Sequence, residues 1–221
     1  MKISLIIPIK NEAGAIGRVL KEIPEHIVNE IIIIDGNSID NTAAEVKAAL
    51  SDGKYKYLMQ TGNGFGNAVL QGCRMAQGDV VIIMNGDGSH NPKDIPALVR
   101  KVKEGYEYVL ASRYAPDGRS DDDTIITFLG NKLFTSLTNL VHRTSLFDCL
   151  FFYTAITSKG LKKLQLYSPG FELCIEILIK AHRAKLSFAE VPVVERRRFA
   201  GKSKVNTFWD GFKILKMILK S

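Results

Sequence analysis

Short strand-like runs at residues 3–9, 31–34, 55–59, 80–84 and 108–111 alternate with segments of helical hydrophobic period, and this alternation limits the fold more than any other feature. Residues 31–34 and 80–84 are apolar at every position, which suits strands covered on both faces. The pattern is that of βα units around a mainly parallel sheet, an α/β fold. It predicts a first helix on Ile16, Val19, Leu20 and Ile23, with Asn11 as cap and Pro24 as stop. A second helix, capped by Asp40 or Asn41, uses Val46, Ala49 and Leu50, and a third follows Gly66 on Val69, Cys73 and Ala76. Pro92 sits in the first turn of a fourth, whose apolar face is Ile95, Leu98, Val99 and Val102, and residues 108–111 complete the sheet of this half.

After residue 115 the pattern changes. Residues 117–124 are polar and acidic, and Leu129, Leu133, Leu137 and Leu140 mark a long amphipathic helix. A strand at 149–155, a helix at about 171–183, a strand at 188–194, a basic run at 196–204 and a final helix are expected to follow. With 221 residues, 46% of them hydrophobic, the chain can bury one substantial core, so residues 1–115, 116–204 and 205–221 are read as parts of a single domain. Met1-Lys2 leads directly into a strand without a small-residue cleavage site, and no apolar run reaches the ~18 to 20 residues that span a bilayer. The expectation is a cytoplasmic protein with at most peripheral membrane contact. Cys73, Cys149 and Cys174 are odd in number and lack metal-ligand spacing, which fits buried free thiols in a reducing compartment.

Ligands of open α/β sheets bind beyond the carboxyl ends of the strands, and here those ends carry acids and amides. They are Pro8-Ile9-Lys10-Asn11-Glu12, Asp35-Gly36-Asn37-Ser38 with Asp40, and Asn85-Gly86-Asp87-Gly88-Ser89-His90. Acids after the second strand can accept hydrogen bonds from a base or a ribose, while Asp87 with Asn85 can hold a hard cation against phosphates. Singly, residues 35–41 read equally as a turn and helix cap, and 85–88 as a tight turn. The formal charge of +7 calls for an anionic partner: nucleic acid, a phosphorylated substrate or an acidic membrane. No recognition-helix or RNA-binding aromatic signature accompanies the basic run, so nucleic acid is not expected.

The chain resembles family 2 glycosyltransferases, and within them the branch that includes dolichol-phosphate mannosyltransferase and bacterial polyprenyl-phosphate glycosyltransferases. The resemblance covers nearly the whole chain and rests on Pro8-x-x-Asn11-Glu12, Asp35-Gly36-Asn37-Ser38-x-Asp40-Asn41-Thr42, Asn85-x-Asp87 with Ser89-His90-x-Pro92, Ser112-Arg113-Tyr114, and Arg198-x-x-Gly201-x-Ser203-Lys204. It implies a GT-A fold, and an inverting transfer of a hexose from a GDP-mannose or UDP-glucose type donor to a polyprenyl or dolichyl phosphate, or to a similar membrane-linked acceptor. It also implies donor contacts at Pro8, Glu12, Asp35, Ser38, Asp87, Arg198, Ser203 and Lys204, and Mg2+ or Mn2+ at Asp87 with Asn85 and Ser89. Asn85-x-Asp87 stands where the family commonly has Asp-x-Asp, and Phe152 where relatives usually carry a nearby glycine.

The charges suggest further roles. Arg198 is the best protein cation to join the metal on the leaving diphosphate, with Lys204 and Lys202 adding charge. A lipid phosphate acceptor needs no base; for a hydroxyl acceptor Asp148 is the candidate, with a capping or ion-pair role as its alternative. Arg113 can bind an acceptor phosphate or pair with acids at 121–123. Arg196 and Arg197 read as a solvated face. In the last helix Phe208, Phe212, Leu215 and Leu219 fall on one side and Lys213, Lys216 and Lys220 on another, which suits an anionic lipid surface or ordinary packing. Other readings are a scaffold subunit that binds nucleotide sugar without turnover, and a transferase with a soluble acceptor. A homo-oligomer is compatible with each.

Overall fold

The computed structural model describes residues 1–50, 55–201 and 207–220. In chain order the elements are β1 (Ile3–Ile9), α1 (Ile16–Lys21), β2 (Glu30–Asp35), α2 (Thr42–Ala49), β3 (Tyr55–Met59), α3 (Phe65–Met75), β4 (Val80–Ile83), α4 (Ile95–Lys103), β5 (Tyr108–Ser112) and β6 (Arg119–Ser120). Then come α5 (Ile125–His142), β7 (Thr154–Thr157), α6 (Ser158–Lys163), α7 (Leu173–Arg183), β8 (Phe188–Pro192), β9 (Val194–Glu195) and α8 (Thr207–Lys220). A short 3-10 turn, Pro92–Asp94, leads into α4.

Seven strands form one sheet in the order β3-β2-β1-β4-β7-β5-β8. The β1, β2, β3 and β4 pairings are parallel, as is β5 with β8, whereas β7 runs antiparallel to both β4 and β5. The βα pattern of the first half is therefore present, but its last strand does not close on β4. Residues from the second half enter between them, and the strand expected at 149–155 forms a ladder only over Thr154–Thr157. Alternate residues of β1 serve opposite faces, Leu5 and Ile7 packing with α1 and α4, and Ile6 with α3 and α7.

Local chemistry departs from expectation at the first cap. Asn11 does not cap α1: it sits at φ 51°, and its side chain accepts from the Ile39 N–H at 2.9 Å, while Ala15 occupies the N-cap. Its amide is used to join two loops instead. Asp40 accepts from the Thr42 N–H at 3.1 Å at the start of α2. All three cysteines are free, and among the described residues no helix is long and apolar enough to cross a membrane.

In helix α5 Leu137 packs on the core with Phe134, but the rest of the expected stripe faces outward. Thr135 and Thr138 are buried, while Leu129, Leu133 and Leu140 are 60%, 67% and 78% exposed. The reason lies in what the helix covers. Residues 144–149 form an irregular segment whose backbone groups need partners. Asn139 Oδ1 accepts from the Leu146 N–H at 2.9 Å, its Nδ2 donates to the Leu146 carbonyl at 2.9 Å, and Thr135 Oγ1 accepts from the Cys149 N–H at 3.2 Å. Polar residues face inward because the neighbour is bare backbone. The expected stripe of α8 is likewise not its packing face: Ile214 and Ile218 are buried, whereas Phe212 and Leu219 are exposed. The side chain of Phe208 lies outside the described residues.

Candidate active site

The carboxyl ends of β1, β2 and β4 open into a cleft of about 650 Å³. Residues 8–12 form one wall, residues 60–65 with Phe171 the opposite one, and the turn after β4 the floor, with Glu195 and Arg198 at the rim. Gly64 lies at φ +98°, where a Cβ would come within 2.3 Å of the Pro169 carbonyl, so only glycine lets this wall meet the residue 168–170 loop. Phe65 stacks on Phe171 at 4.7 Å and meets Phe152 edge-on at 5.7 Å, which makes that end of the cleft aromatic.

On the floor, Asp87 Oδ1 accepts from the N–H of Ser89 at 3.0 Å and its hydroxyl at 2.7 Å, while Oδ2 lies 3.8 Å from Arg198 Nη1. Arg198 is held from behind, donating through Nε and Nη2 to Asp122 Oδ2 at 3.2 and 2.9 Å. Burial alone would lower its pKa, but Asp122 and Asp87 more than offset this and raise it. The basic segment is stitched to the floor, with the Phe199 N–H donating to the Asp87 carbonyl at 2.8 Å and the Arg196 N–H to the Ser89 carbonyl at 3.0 Å. Arg196 is not a solvated face: its Nε donates to the Gly88 carbonyl at 3.1 Å and its Nη1 to Glu22 at 2.7 Å. Arg197 donates to the Asp121 carbonyl at 3.1 Å.

His90 fixes the orientation of Asn85. Its Nδ1 accepts from the Asn85 N–H at 3.1 Å, so the ring proton is on Nε2, which lies 3.4 Å from the Asn85 amide. The atom nearest it is the Asn85 amide nitrogen, so the amide oxygen faces away from the ring. Burial pushes the His90 pKa down to about 3, against the pull of Asp87, and the ring stacks on Tyr153 at 4.9 Å.

Pro8 and Glu12 line the cleft, but Asp35 is 1% exposed and the lining residue beside it is Gly36. Asp35 Oδ1 accepts from the Ser38 N–H at 2.7 Å, and Oδ2 accepts from the Tyr57 hydroxyl, whose pKa burial and this carboxylate raise. Ser38 Oγ accepts from the Asn11 N–H at 2.8 Å, and Thr42 Oγ1 from the Glu12 N–H at 2.8 Å. These contacts tie the loop after β2 to the one after β1.

Arg113 and Asp148 lie together behind the rim. Arg113 donates to both Asp148 oxygens and, at 3.3 Å, to Glu195 Oε2, and its guanidinium lies 4.8 Å from the Phe151 ring centre. Burial alone would lower its pKa, yet Asp148 and Glu195 hold it charged. Asp148 is fully buried and also accepts from the N–H groups of Leu150 and Phe151 at 3.2 and 3.3 Å. Burial raises the pKa of Glu195, with Arg113 and Ser120 opposing.

The structure thus brings Pro8, Glu12, Asn85, Asp87, Ser89, Arg113 and Arg198 around one cleft and sets Asp35, Ser38 and Asp148 outside its lining. Ser203 and Lys204, with Lys202, lie outside the described residues. Sequence reasoning missed Glu195 and the wall at residues 60–65. The glycines of Thr61-Gly62-Asn63-Gly64-Phe65-Gly66, at the end of a strand, were the available signal for that wall.

Residues 4–165 match the family described as "Glycosyl transferase family 2". The chain belongs to this family. This family 2 member is 28% identical over 211 residues to a dolichol-phosphate mannosyltransferase of Pyrococcus furiosus, a match that covers 93% of the chain and 59% of that protein. The chain therefore spans little more than half the length of that relative. It is also 27% identical to the UDP-N-acetylglucosamine–dolichyl-phosphate N-acetylglucosaminyltransferase of Methanococcus voltae, over 98% of the chain and 94% of that protein. The fold is shared with glucosyl-3-phosphoglycerate synthase of Mycobacterium tuberculosis, solved with Mn2+, uridine diphosphate and glucosyl-3-phosphoglycerate (TM-score 0.76, 20% identity, 99% of this chain and 78% of that one). Its α/β architecture, with a mostly parallel sheet flanked by helices, is that of GT-A proteins.

Proposed function

We infer that the cleft moves a hexose, with inversion, from a nucleotide-sugar donor of the GDP-mannose or UDP-glucose type to a polyprenyl or dolichyl phosphate, or a similar membrane-linked acceptor. The observation that carries this reading is the Asp87–Arg198 pair where the cleft floor meets its rim, a carboxylate and a guanidinium 3.8 Å apart. A diphosphate laid across the cleft side of this pair would meet a cation-holding group at one end and a phosphate-binding guanidinium at the other. The named relatives, two of which act on dolichyl phosphate by their descriptions, support the acceptor class.

The donor set fits Mg2+ or Mn2+. Among the described residues no cluster of three or more His, Cys, Asp or Glu is present, and such ions need only one or two carboxylates when substrate phosphates and water complete the shell. Asp87 would hold the ion, with the Ser89 hydroxyl steadying its carboxylate. When bound, the ion offsets the charge that develops on the departing diphosphate. Asn85, whose amide nitrogen lies toward His90, has its oxygen free to join Asp87 at the ion.

The remaining residues divide the work. Arg198 grips the leaving group, and the aromatic wall of Phe65, Phe152 and Phe171 limits water at the anomeric carbon. Asp148 acts as a positioning residue, since Arg113 and two backbone donors already engage its oxygens. Arg113, met by Asp148 and Glu195, anchors residues 150–152 more than it offers a free cation to the acceptor. A lipid phosphate would attack as an anion; for a hydroxyl acceptor, Glu195 at the rim is the carboxylate in position to take the proton. Peripheral seating at the cytoplasmic face of a membrane accords with this reading.

Calorimetry with GDP-mannose, UDP-glucose and related donors, with and without Mn2+, followed by transfer assays with polyprenyl phosphate and with soluble acceptors, tests the proposal. Metal-dependent binding of one donor and transfer to the lipid phosphate are expected. Failure to bind any nucleotide sugar would refute it, and binding without transfer to any acceptor would favour a scaffold role.

A further inference from the structure

The outward face of α5 carries Ile125 and Ile126, 80% and 76% exposed, followed by Leu129, Leu133 and Leu140. A stripe of this length, running over about four turns, exceeds the scattered apolar residues of an ordinary surface. Helix α8 extends it. At roughly 100° per residue, Phe212 and Leu219 lie on the α8 flank near Gly211, whose Cβ position is 3.7 Å from Phe134 of α5. Lys216, Lys220 and Lys213 follow next round the helix, and with Lys180 and Arg183 they line a groove between α7 and α8. The apolar band and the basic band therefore run side by side.

We propose that the α5–α8 face docks on an anionic lipid bilayer, with the α5 stripe in the acyl–headgroup boundary and the lysines at the level of the lipid phosphates. Charge selects this occupant. The α5 sequence from Ile125 to His142 contains no acid, and both acids lining the groove are buried, Glu176 paired with Lys180 at 2.6 Å and Glu172 accepting from the Gly170 N–H at 3.2 Å. A two-fold contact with a second copy would set this cationic face against itself. At ~1.5 Å per residue the helix is about 27 Å long, and its polar side is occupied by protein, so it suits lying in the interface plane.

The position of the stripe deepens the membrane-linked acceptor reading and rests on it for its purpose. Thr124 caps α5 directly after Asp122, which holds Arg198, and Asp123, which accepts from the Tyr114 hydroxyl at 2.5 Å. The exposed isoleucines at the start of α5 are thus tied to the cleft rim. A bilayer under α5 would bring that rim to headgroup level, where a lipid phosphate enters.

Flotation of the protein with vesicles needs neither donor nor turnover, so it can fail while the transfer reading stands. The protein is expected to float with phosphatidylcholine–phosphatidylglycerol vesicles, and only weakly with phosphatidylcholine alone. The exposed double variant Leu129→Gln/Leu133→Gln should lose about tenfold or more in partitioning, and Lys213→Gln/Lys216→Gln should lose the preference for anionic vesicles. The leucine variant should melt like the parent and turn over a short-chain soluble acceptor at the parent rate. Equal flotation of parent and leucine variant, or no flotation with either vesicle, overturns the proposal. A dimer of the parent that the leucine variant abolishes in sedimentation also overturns it, by assigning the face to a second copy.

Discussion

Arg113 and Asp148 form a two-point ion pair, Nε to Oδ2 at 2.7 Å and Nη2 to Oδ1 at 3.1 Å, in a place closed to solvent. Removing either partner leaves a buried charge without compensation, at a cost of about 3 to 5 kcal/mol. Asp148→Ala should therefore unfold at a much lower urea concentration than the parent. On the positioning role proposed for Asp148, any folded fraction should keep the parent pH profile of transfer. A lost acidic limb with unchanged stability would reverse that assignment.

Asp87 and Arg198 separate differently. Asp87→Ala is expected to abolish the Mn2+-dependent part of donor binding and to lower kcat/KM by at least about a hundredfold. Arg198→Lys keeps the charge but not the two-point grip, so a smaller loss of about tenfold is expected, with Mn2+ dependence intact. Calorimetry and initial rates with the preferred donor measure both.

Gly66 tests the far wall. A Cβ there would stand 2.2 Å from the Ser168 carbonyl and 2.7 Å from that of Gly170, and backbone cannot yield as a flexible side chain can. Gly66→Ala should cost about 1 to 3 kcal/mol in urea denaturation and raise the donor KM, because the displaced loop carries Phe171.

Asp94 gives the stability curve a pH feature. Burial raises its pKa from the ordinary 3.8 to about 6, with Arg196 opposing. The folded state thus favours the protonated form, so the contribution is fully present below pH 3.8 and lost as pH rises through about 6. Asp94→Asn should melt above the parent at pH 7, with the gap closing toward pH 4. A gap independent of pH in scanning calorimetry would show that Asp94 is not the group responsible.

The rim of the sheet was legible because apolar runs locate strands and polar residues after them locate strand ends, as with Ile83 leading to Asp87. The orientation of α5 was not, since a 3.6-residue period identifies a stripe without saying which side meets the protein. The bare backbone at residues 144–149, met by Asn139 and Thr135, decides that together with the inward packing of Phe134 and Leu137. The Arg113–Asp148 pair was hidden for another reason: its members are 35 residues apart, and pairing across such a separation leaves no periodic trace.

The antiparallel insertion of β7 has a consequence for how the chain acquires its shape. Val81 and Ile82 face Ile156 and Ala155 on one side of that strand, and Val109 faces Ala155 on the other. A nascent chain that has emerged only through β5 would hold two unsatisfied strand borders with no means of joining them. The first 115 residues are therefore not a self-sufficient folding unit. Their sheet waits on a segment made some forty residues later, and until it arrives those open borders invite association with other chains.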